Sequence, residues 1–562
     1  MANQNNPSVG GIERTDLVIG LTYAVGTRSK IVTDALRKHL AEFNYCAHII
    51  KISHEILDST PDTSEESGYD RLIRLMNHGN SMREKSGDYG ILALSAVELI
   101  QTVRAAENQN SPSDSDEQLQ SSNGLDSKHA HLAESEDQGD APVKEIIEER
   151  LETTEPLGHA YIISSLKHPN EVDELREIYS SSFFLVAINE SEDQRRTNLI
   201  DSKDIRVSEA KELIERDEGE DEEFGQHTRD VFEMADIHLS LNQSASEKKK
   251  KSKWTEAALE QQVDHQVSRI LNLIFGNPFT TPTFDEYAMF MAYASGLRSA
   301  DLSRQTGAVI TTLLQEIVAT GANEVPRFGG GQYWPDPDTF EDVCGGRDYT
   351  KGKDTNRTER ARIIDEIVDL FDFHGQDEKK EEVRRSLRRS SIKYLTEYSR
   401  PVHAEMSAII ACARSGISLN GATLYCSTFP CHNCAKHIIN AGIQRVVFIE
   451  PYPKSKTIEL YSDSASIIRE EGKVSFEEFV GVGPRRFFDL FSLKLSSGRS
   501  ILRQDDSGIV RWDRITARLR CPLVMSYPDR EKLEMIRLRT LKEKIDKSQI
   551  SRQENMEEDS NV

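Results

Sequence analysis

A histidine and a glutamate stand two positions apart in "HAE" at residues 403–405, and two cysteines stand three apart in "PCHNC" at residues 430–434. Imidazole and thiolate are the donors that zinc takes. His403, Cys431 and Cys434 supply three of them, and a three-donor site of this kind keeps a fourth position open for water, as catalytic zinc sites do. Glu405 is too close in the chain to His403 to be a comfortable co-ligand, yet it can reach a water held at the metal. A carboxylate there can take the water's proton and pass it to a leaving amine. The rival reading is a closed structural zinc site, with Cys412 or Cys426 as the fourth donor and Glu405 idle. Cys412 falls about two and a half turns along a helix from His403, and Cys426 falls within a strand, so both read as structural. His432, between the two cysteines, would compete sterically with them and reads as a supporting or solvent-facing residue.

Two helix starts must aim these groups at one point. "HAEMSAIIACARSG" reads as a helix that ends at Gly416, "ATLYCST" as a strand, "PCHNCAKHIINAG" as a second helix and "RVVFIEPY" as another strand. Helix N-termini carry partial positive charge, which favours thiolate and hydroxide. Upstream, "LEQQVDHQVSRILNLIF" and "TFDEYAMFMAYASGL" are helical in pattern, and "TGAVITT" with "EIVATGANE" reads as a strand pair. Residues 336–400 read as a charged, helical insert containing the basic stretch "RRSLRRSSIKY". "EKLEMIRLRTLKEKI" reads as an amphipathic helix with a fraying end.

The first half has its own rhythm. "DLVIGLTYAVGTRSKIVTDALRKHL" reads as a buried strand, a tight loop and an amphipathic helix, and "AYIISSLKHPNEVDELREIY" as strand, loop and helix. "SFFLVAINE" and "ADIHLSLN" are further strands. Short apolar runs alternating with helical patterns predict a mostly parallel α/β sheet. The boundaries are a flexible tail at 1–14, a first domain at 15–246, a linker at 247–256, a second domain at 257–500 and a C-terminal extension at 501–562. Residues 108–155 are polar and acidic and cannot offset their ordering entropy, so they read as a disordered insertion. The lysine run "EKKKKSK" in the linker reads as solvated charge.

The chain has 562 residues and a formal net charge of −24, which disfavours a broad grip on a nucleic-acid backbone. Seven cysteines in such a length do not make a secreted disulfide framework. With no secretory leader and no long apolar run, the expectation is a soluble cytoplasmic protein with reduced thiols.

The pattern H-x-E…P-C-x-x-C is the signature of zinc nucleobase deaminases, and the second half resembles the cytidine/deoxycytidylate deaminase superfamily. That resemblance implies a mixed five-stranded sheet with helices on both faces, a Zn2+ cofactor on His403, Cys431 and Cys434, and Glu405 as the proton shuttle. "GLRSADLSRQTGAVI" and "ATGANEVPRFGGG" are similar to the deoxycytidylate branch. There Asn323 would contact the sugar, and Arg298, Ser299 and Arg304 would lie near the phosphate, although each arginine could equally be a surface salt bridge. In "EPYPKS", Tyr452 could stack on the base and Lys454 pair with a phosphate, because ligands sit at strand carboxyl ends.

The first half resembles P-loop nucleotide kinases. "GLTYAVGTRSK" has the setting of the phosphate loop, with Gly20, Gly26, Thr27, Arg28, Ser29 and Lys30 as candidate contacts, but lacks the motif's spacing and lysine. Ser164 and Ser165 end a strand where an aspartate would serve magnesium. The readings are a nucleotide-binding or sensing module, a scaffold without a ligand, or an active kinase. Together the halves resemble bacterial anti-phage deoxycytidine nucleotide deaminases, also through "FVGVGPRRFFDLF". That resemblance implies conversion of dCTP or dCMP to the uracil nucleotide, depletion of the pool used for phage DNA, an inhibitory RNA or protein partner and a homo-oligomer. The alternatives are a non-catalytic nucleotide-sensing protein on a deaminase scaffold and a polynucleotide cytosine deaminase.

Overall fold

The computed structural model describes residues 15–58, 66–110, 158–203, 205–218, 225, 227–242, 255–371, 373, 376–395, 397–450, 455–522 and 527–559. The predicted tail, most of the acidic insertion and most of the linker lie outside them.

The first sheet is built on β1 (Leu17–Tyr23), β2 (Tyr45–Lys51), β3 (Gly158–Ser164), β4 (Phe183–Asn189) and β5 (Ile237–Ser240). These strands are parallel and run in the order β5-β4-β1-β3-β2. Near-continuous apolar runs are what a parallel sheet covered on both faces requires. β1 shows how one run serves two layers. Leu17, Ile19 and Leu21 join one core with Leu36, Leu40, Val263 and Leu271, while Val18 joins the opposite core with Leu94, Ile163, Leu175 and Leu538. The period-2 alternation of a strand makes that division. On the second face, the helix Pro169–Tyr179 starts on a proline and a His168–Glu171 capping box.

The second sheet has the order β10-β11-β9-β8-β6-β7. Its strands are β6 (Gly307–Thr311), β7 (Ile317–Ala322), β8 (Thr423–Thr428), β9 (Arg445–Glu450), β10 (Ala465–Ser466) and β11 (Val474–Glu478). β6 runs antiparallel to both neighbours, and the other pairs are parallel. The sheet is therefore mixed, as expected, but six-stranded rather than five-stranded. The extra strand is the two-residue β10, too short to leave a periodic signal. Helices cover both faces through two glycines. A Cβ on Gly307 would lie 1.8 Å from Ala292 O in the helix Phe284–Gly296, and one on Gly321 would lie 2.1 Å from Ala404 O in the helix Ala404–Ser415.

The halves interlock. A further strand, β12 (Gly481–Val482), pairs antiparallel with β5 and extends the first sheet. The helix Glu256–Ile274, assigned by sequence to the head of the second domain, buries Val263, Val267 and Leu271 in the first core. The C-terminal helix Tyr527–Asp559 also lies on the first half, where Leu538 is buried and Arg104 meets Glu531 at 2.6 Å. Within the charged insert, the helices Thr355–Asp369 and Asp377–Arg389 are tied by Arg384–Asp365 at 2.9 Å.

Candidate active site

His403 and Cys431 are both N-cap residues with extended backbone, each immediately before a helix: Ala404–Ser415 and His432–Asn440. An N-cap side chain points back over the helix start, so the two caps converge. The approach to His403 is pinned by paired backbone bonds between Val402 and Glu324 at 3.3 and 3.0 Å. Cys434 follows in the first turn of the second helix and is buried.

His403 Nδ1 lies 3.4 Å from Cys431 Sγ and 3.3 Å from Cys434 Sγ. Tetrahedral zinc with sulfur at ~2.3 Å and nitrogen at ~2.0 Å puts such donors about 3.5 Å apart. The two nitrogen–sulfur separations thus match edges of a zinc tetrahedron, and the chemistry of the set fits that ion. Cys412 and Cys426 are buried, and neither belongs to the His403–Cys431–Cys434 cluster. Cys426 Sγ instead faces Val447 O at 3.8 Å. His432 Nδ1 is buried without a hydrogen-bond partner.

The three donors perturb one another's protonation, and the bond to Cys431 together with burial pushes the Cys434 thiol well above its ordinary value. The Cys431 thiol is drawn down to about 4 by the hydrogen bond from Cys434 and by His403, while His403 is raised to about 9, chiefly by its bond to Cys431. Glu405 sits in the first turn of its helix with 4% of its surface exposed. Burial lifts its carboxyl above the usual range, with His403 opposing. A buried carboxyl whose pKa is raised in this way is suited to taking up and passing on a proton.

Of the remaining second-half candidates, Asn323 directly follows the edge strand β7, and Arg304 precedes β6. Asn323 spends its amide on the backbone, accepting from Thr306 N at 2.7 Å and donating to Arg304 O at 2.8 Å. Ser299 donates to Asn323 O at 2.6 Å. Arg298 donates to Gln332 Oε1 and Tyr333 O at 2.7 and 2.6 Å and lies 3.6 Å over the Trp334 ring. Arg304 reaches Glu450 at 2.5 Å, and Thr428 donates to the other oxygen of Glu450. Tyr452 and Lys454 lie outside the described residues. Sequence reading missed Glu324 as a hub: it is buried and accepts from Ala300 N and Val325 N at 3.0 and 2.8 Å, with Arg347 at 3.3 Å. Its only signal was its place beside Asn323.

In the first half, the loop after β1 lies where the strand order reverses, between β3 and β4, the usual ligand crevice of an open sheet. Gly20 is inside β1, where a Cβ would lie 2.6 Å from Leu166, so it serves packing. Gly26, at φ 84°, is in the left-handed region, and a Cβ there would lie 2.6 Å from Arg195 O. Thr27 Oγ1 is buried without a partner, Ser29 opens the helix Ser29–Glu42 and Lys30 is exposed. Arg28 is held by Glu190 through its backbone N at 2.9 Å and its Nε at 2.7 Å. Val25 N donates to Asp217 at 2.7 Å, and Lys167 meets the same carboxylate at 2.8 Å. The loop's donors therefore already hold two carboxylates of this chain.

Residues 282–450 match a family model described as the cytidine and deoxycytidylate deaminase zinc-binding region. The span includes His403, Glu405, Cys431 and Cys434, so this part of the chain is similar to that zinc-binding region, and its His/Cys/Cys cluster is the donor set that fits Zn2+. Among curated relatives, the deoxycytidylate deaminase of Enterobacteria phage T2 is 47% identical over 55 residues, 10% of this chain and 29% of the phage protein. The Mus musculus deoxycytidylate deaminase is 27% identical over 195 residues, 34% of this chain and 78% of the mouse protein. The chain thus spans less than a third of the phage relative it matches. A solved dCMP deaminase from the cyanophage S-TIM5, in complex with dCMP and dUMP, is 18% identical, covers 35% of this chain and 98% of its own, and has a TM-score of 0.21. No helix among the described residues is long and apolar enough to cross a membrane.

Proposed function

We propose that this protein is a hydrolytic deaminase that converts deoxycytidine nucleotides, dCMP or dCTP, to the uracil nucleotides, cleaving the exocyclic C–N bond of the cytosine ring. The observation that carries this reading is the buried Glu405 two residues after His403, whose Nδ1 faces both thiols at 3.3–3.4 Å. Zn2+, when bound by His403, Cys431 and Cys434, supplies the acidity that makes water a nucleophile near neutral pH. Glu405 takes the proton of the attacking water, gives it to ring N3, and passes a second proton to the departing ammonia. Water and cytosine are consumed, and uracil and ammonia are released. Helix N-termini at both caps add positive potential where negative charge develops.

Arg304 and Arg298 fit a phosphate role, with Ser299 and Asn323 shaping the loop that carries them. Glu450 holds Arg304 in the free protein, and an incoming phosphate would compete for it. Tyr452 and Lys454 are proposed to follow on the base and phosphate. The acidic chain favours a free nucleotide over a polynucleotide. The first half is proposed to sense a regulatory nucleotide, whose phosphate would have to displace Glu190 and Asp217. A cytoplasmic homo-oligomer that depletes deoxycytidine nucleotides against phage, restrained by an RNA or protein partner, is the biological setting implied by the resemblance to anti-phage deaminases.

The test is ammonia release and product mass with dCMP, dCTP, CMP, CTP, deoxycytidine and a cytosine-containing single strand. Turnover of dCMP or dCTP alone is the expected result. Reaction of the single strand alone would replace the free-nucleotide reading with polynucleotide deamination.

A further inference from the structure

A second group of metal-type donors lies in the first half, away from both loops discussed above. His48 of β2 and His159 of β3 share one face of the sheet as diagonal neighbours, since His48 is in register with Tyr161 and His159 with Cys46. His48 Nε2 lies 3.2 Å from His159 Nδ1 and 3.8 Å from Glu107 Oε1. Glu107 belongs to the last turns of the helix Ile91–Asn110, so the donors come from three separate elements. One donor atom from each residue lies within 4.8 Å of the others. Both imidazoles stack beside the Tyr161 ring at 5.3 and 6.5 Å, which fixes their planes.

The two rings meet at hydrogen-bond distance, and the Glu107 carboxylate approaches the same His48 nitrogen at 3.8 Å. A divalent cation would draw on all three donors together. Tetrahedral zinc with nitrogen at ~2.0 Å sets two imidazole nitrogens about 3.3 Å apart, close to the 3.2 Å found here. A rotation of the Glu107 side chain, 43% exposed, brings in the third donor, and solvent supplies the fourth.

We propose that His48, His159 and Glu107 bind a divalent first-row cation of the zinc type, separate from the centre at His403. Two imidazoles and one carboxylate suit Zn2+ and Co2+. The cluster holds the second residue of β3, at the strand's amino end, whereas ligands of open sheets react at the carboxyl ends. The cation's work is therefore to tie the end of the helix Ile91–Asn110 to the sheet edge formed by β2.

The experiment is a Co2+ titration of the metal-stripped full-length protein, followed by visible absorption and equilibrium dialysis. Wild type should bind two equivalents. One should show the intense near-ultraviolet thiolate band of the His403–Cys431–Cys434 centre, and the other only weak bands of nitrogen and oxygen ligation. Glu107→Gln and His159→Gln should each remove the second equivalent and leave the thiolate band intact, and that band also reports that the variants are folded. A single equivalent in wild type, or two equivalents retained in both variants with unchanged spectra, would overturn the proposal.

Discussion

Each half places a loop and a helix start at the carboxyl end of its central strands, but the two loops end in opposite chemical states. In the second half, His403, Cys431 and Cys434 converge as a set of three metal donors, with Glu405 buried beside them. In the first half, two carboxylates of the chain already occupy the loop after β1: Glu190 holds Arg28, and Asp217 holds Val25 N together with Lys167 from the loop after β3. A convergent set of nitrogen and sulfur donors suits a metal ion. An assembly closed by its own carboxylates is stable without one and binds an anion only by exchange. Buried polar groups have to be paired, so what completes the pairing separates a poised site from a latched one.

The sharpest way to break this contrast is to alter the poised side. Glu405→Ala should lower kcat by roughly 10³-fold, within the range of a lost general acid–base group, while zinc stays bound at the three donors. Cys431→Ala should instead lose the zinc and the activity together. Metal analysis beside initial rates distinguishes the two.

On the latched side the effect should fall on stability. Asp217 is fully buried and Lys167 nearly so. Asp217→Asn leaves that lysine only the Tyr23 carbonyl and no counter-charge in the pair, and should destabilise the fold by about 3–5 kcal/mol, as breaking a buried pair does, read from denaturant unfolding. If the loop instead awaits a phosphate, inorganic phosphate or a nucleotide should recover part of that loss.

The seam between the halves gives a smaller, pH-dependent effect. His238 of β5 is 6% exposed, pairs in register with Gly481 of β12 and meets the Phe479 ring at 5.6 Å. Burial pushes its pKa down to about 4, only partly offset by a backbone bond to Ala235. The unfolded chain, near 6.5, then binds more protons than the fold between those values. The stabilising contribution is complete above pH 6.5 and is lost as pH falls through the interval towards 4, by on the order of 3 kcal/mol at most. His238→Phe should flatten that part of the stability–pH profile.

The smallest effect belongs to Arg304. Its contact with Glu450 is half exposed on the arginine side, so Arg304→Ala should change stability by less than about 1 kcal/mol. It should raise KM for a nucleotide but not for deoxycytidine, if the side chain serves the phosphate.

The metal set was legible in the sequence because its chemistry dictates residue types and short spacings, and two helix starts do the positioning. The strand-and-helix rhythm was legible for the same reason: β1 and the helix starting at Ala404 carry their periods locally. The partners of the first loop were not. Glu190 lies 162 residues from Arg28 and Asp217 lies 192 from Val25, and nothing in a strand of sequence tells one carboxylate from another at that distance. Gly20 looked like a phosphate-loop glycine but answers to Leu166 and Phe183. Asn323 looked like a sugar contact, yet both ends of its amide are taken by Thr306 and Arg304. The helix Glu256–Ile274 and the C-terminal helix showed an apolar face without showing which half it would cover.

The most direct test of the central claim pairs two readings on one preparation: zinc per chain, and ammonia released from dCMP and dCTP, for wild type and Glu405→Ala. The account predicts that the variant keeps the zinc held by His403, Cys431 and Cys434 while deamination of the preferred nucleotide falls by about 10³-fold. Undiminished turnover in the zinc-loaded variant would contradict it, as would a zinc-loaded wild type that deaminates neither nucleotide.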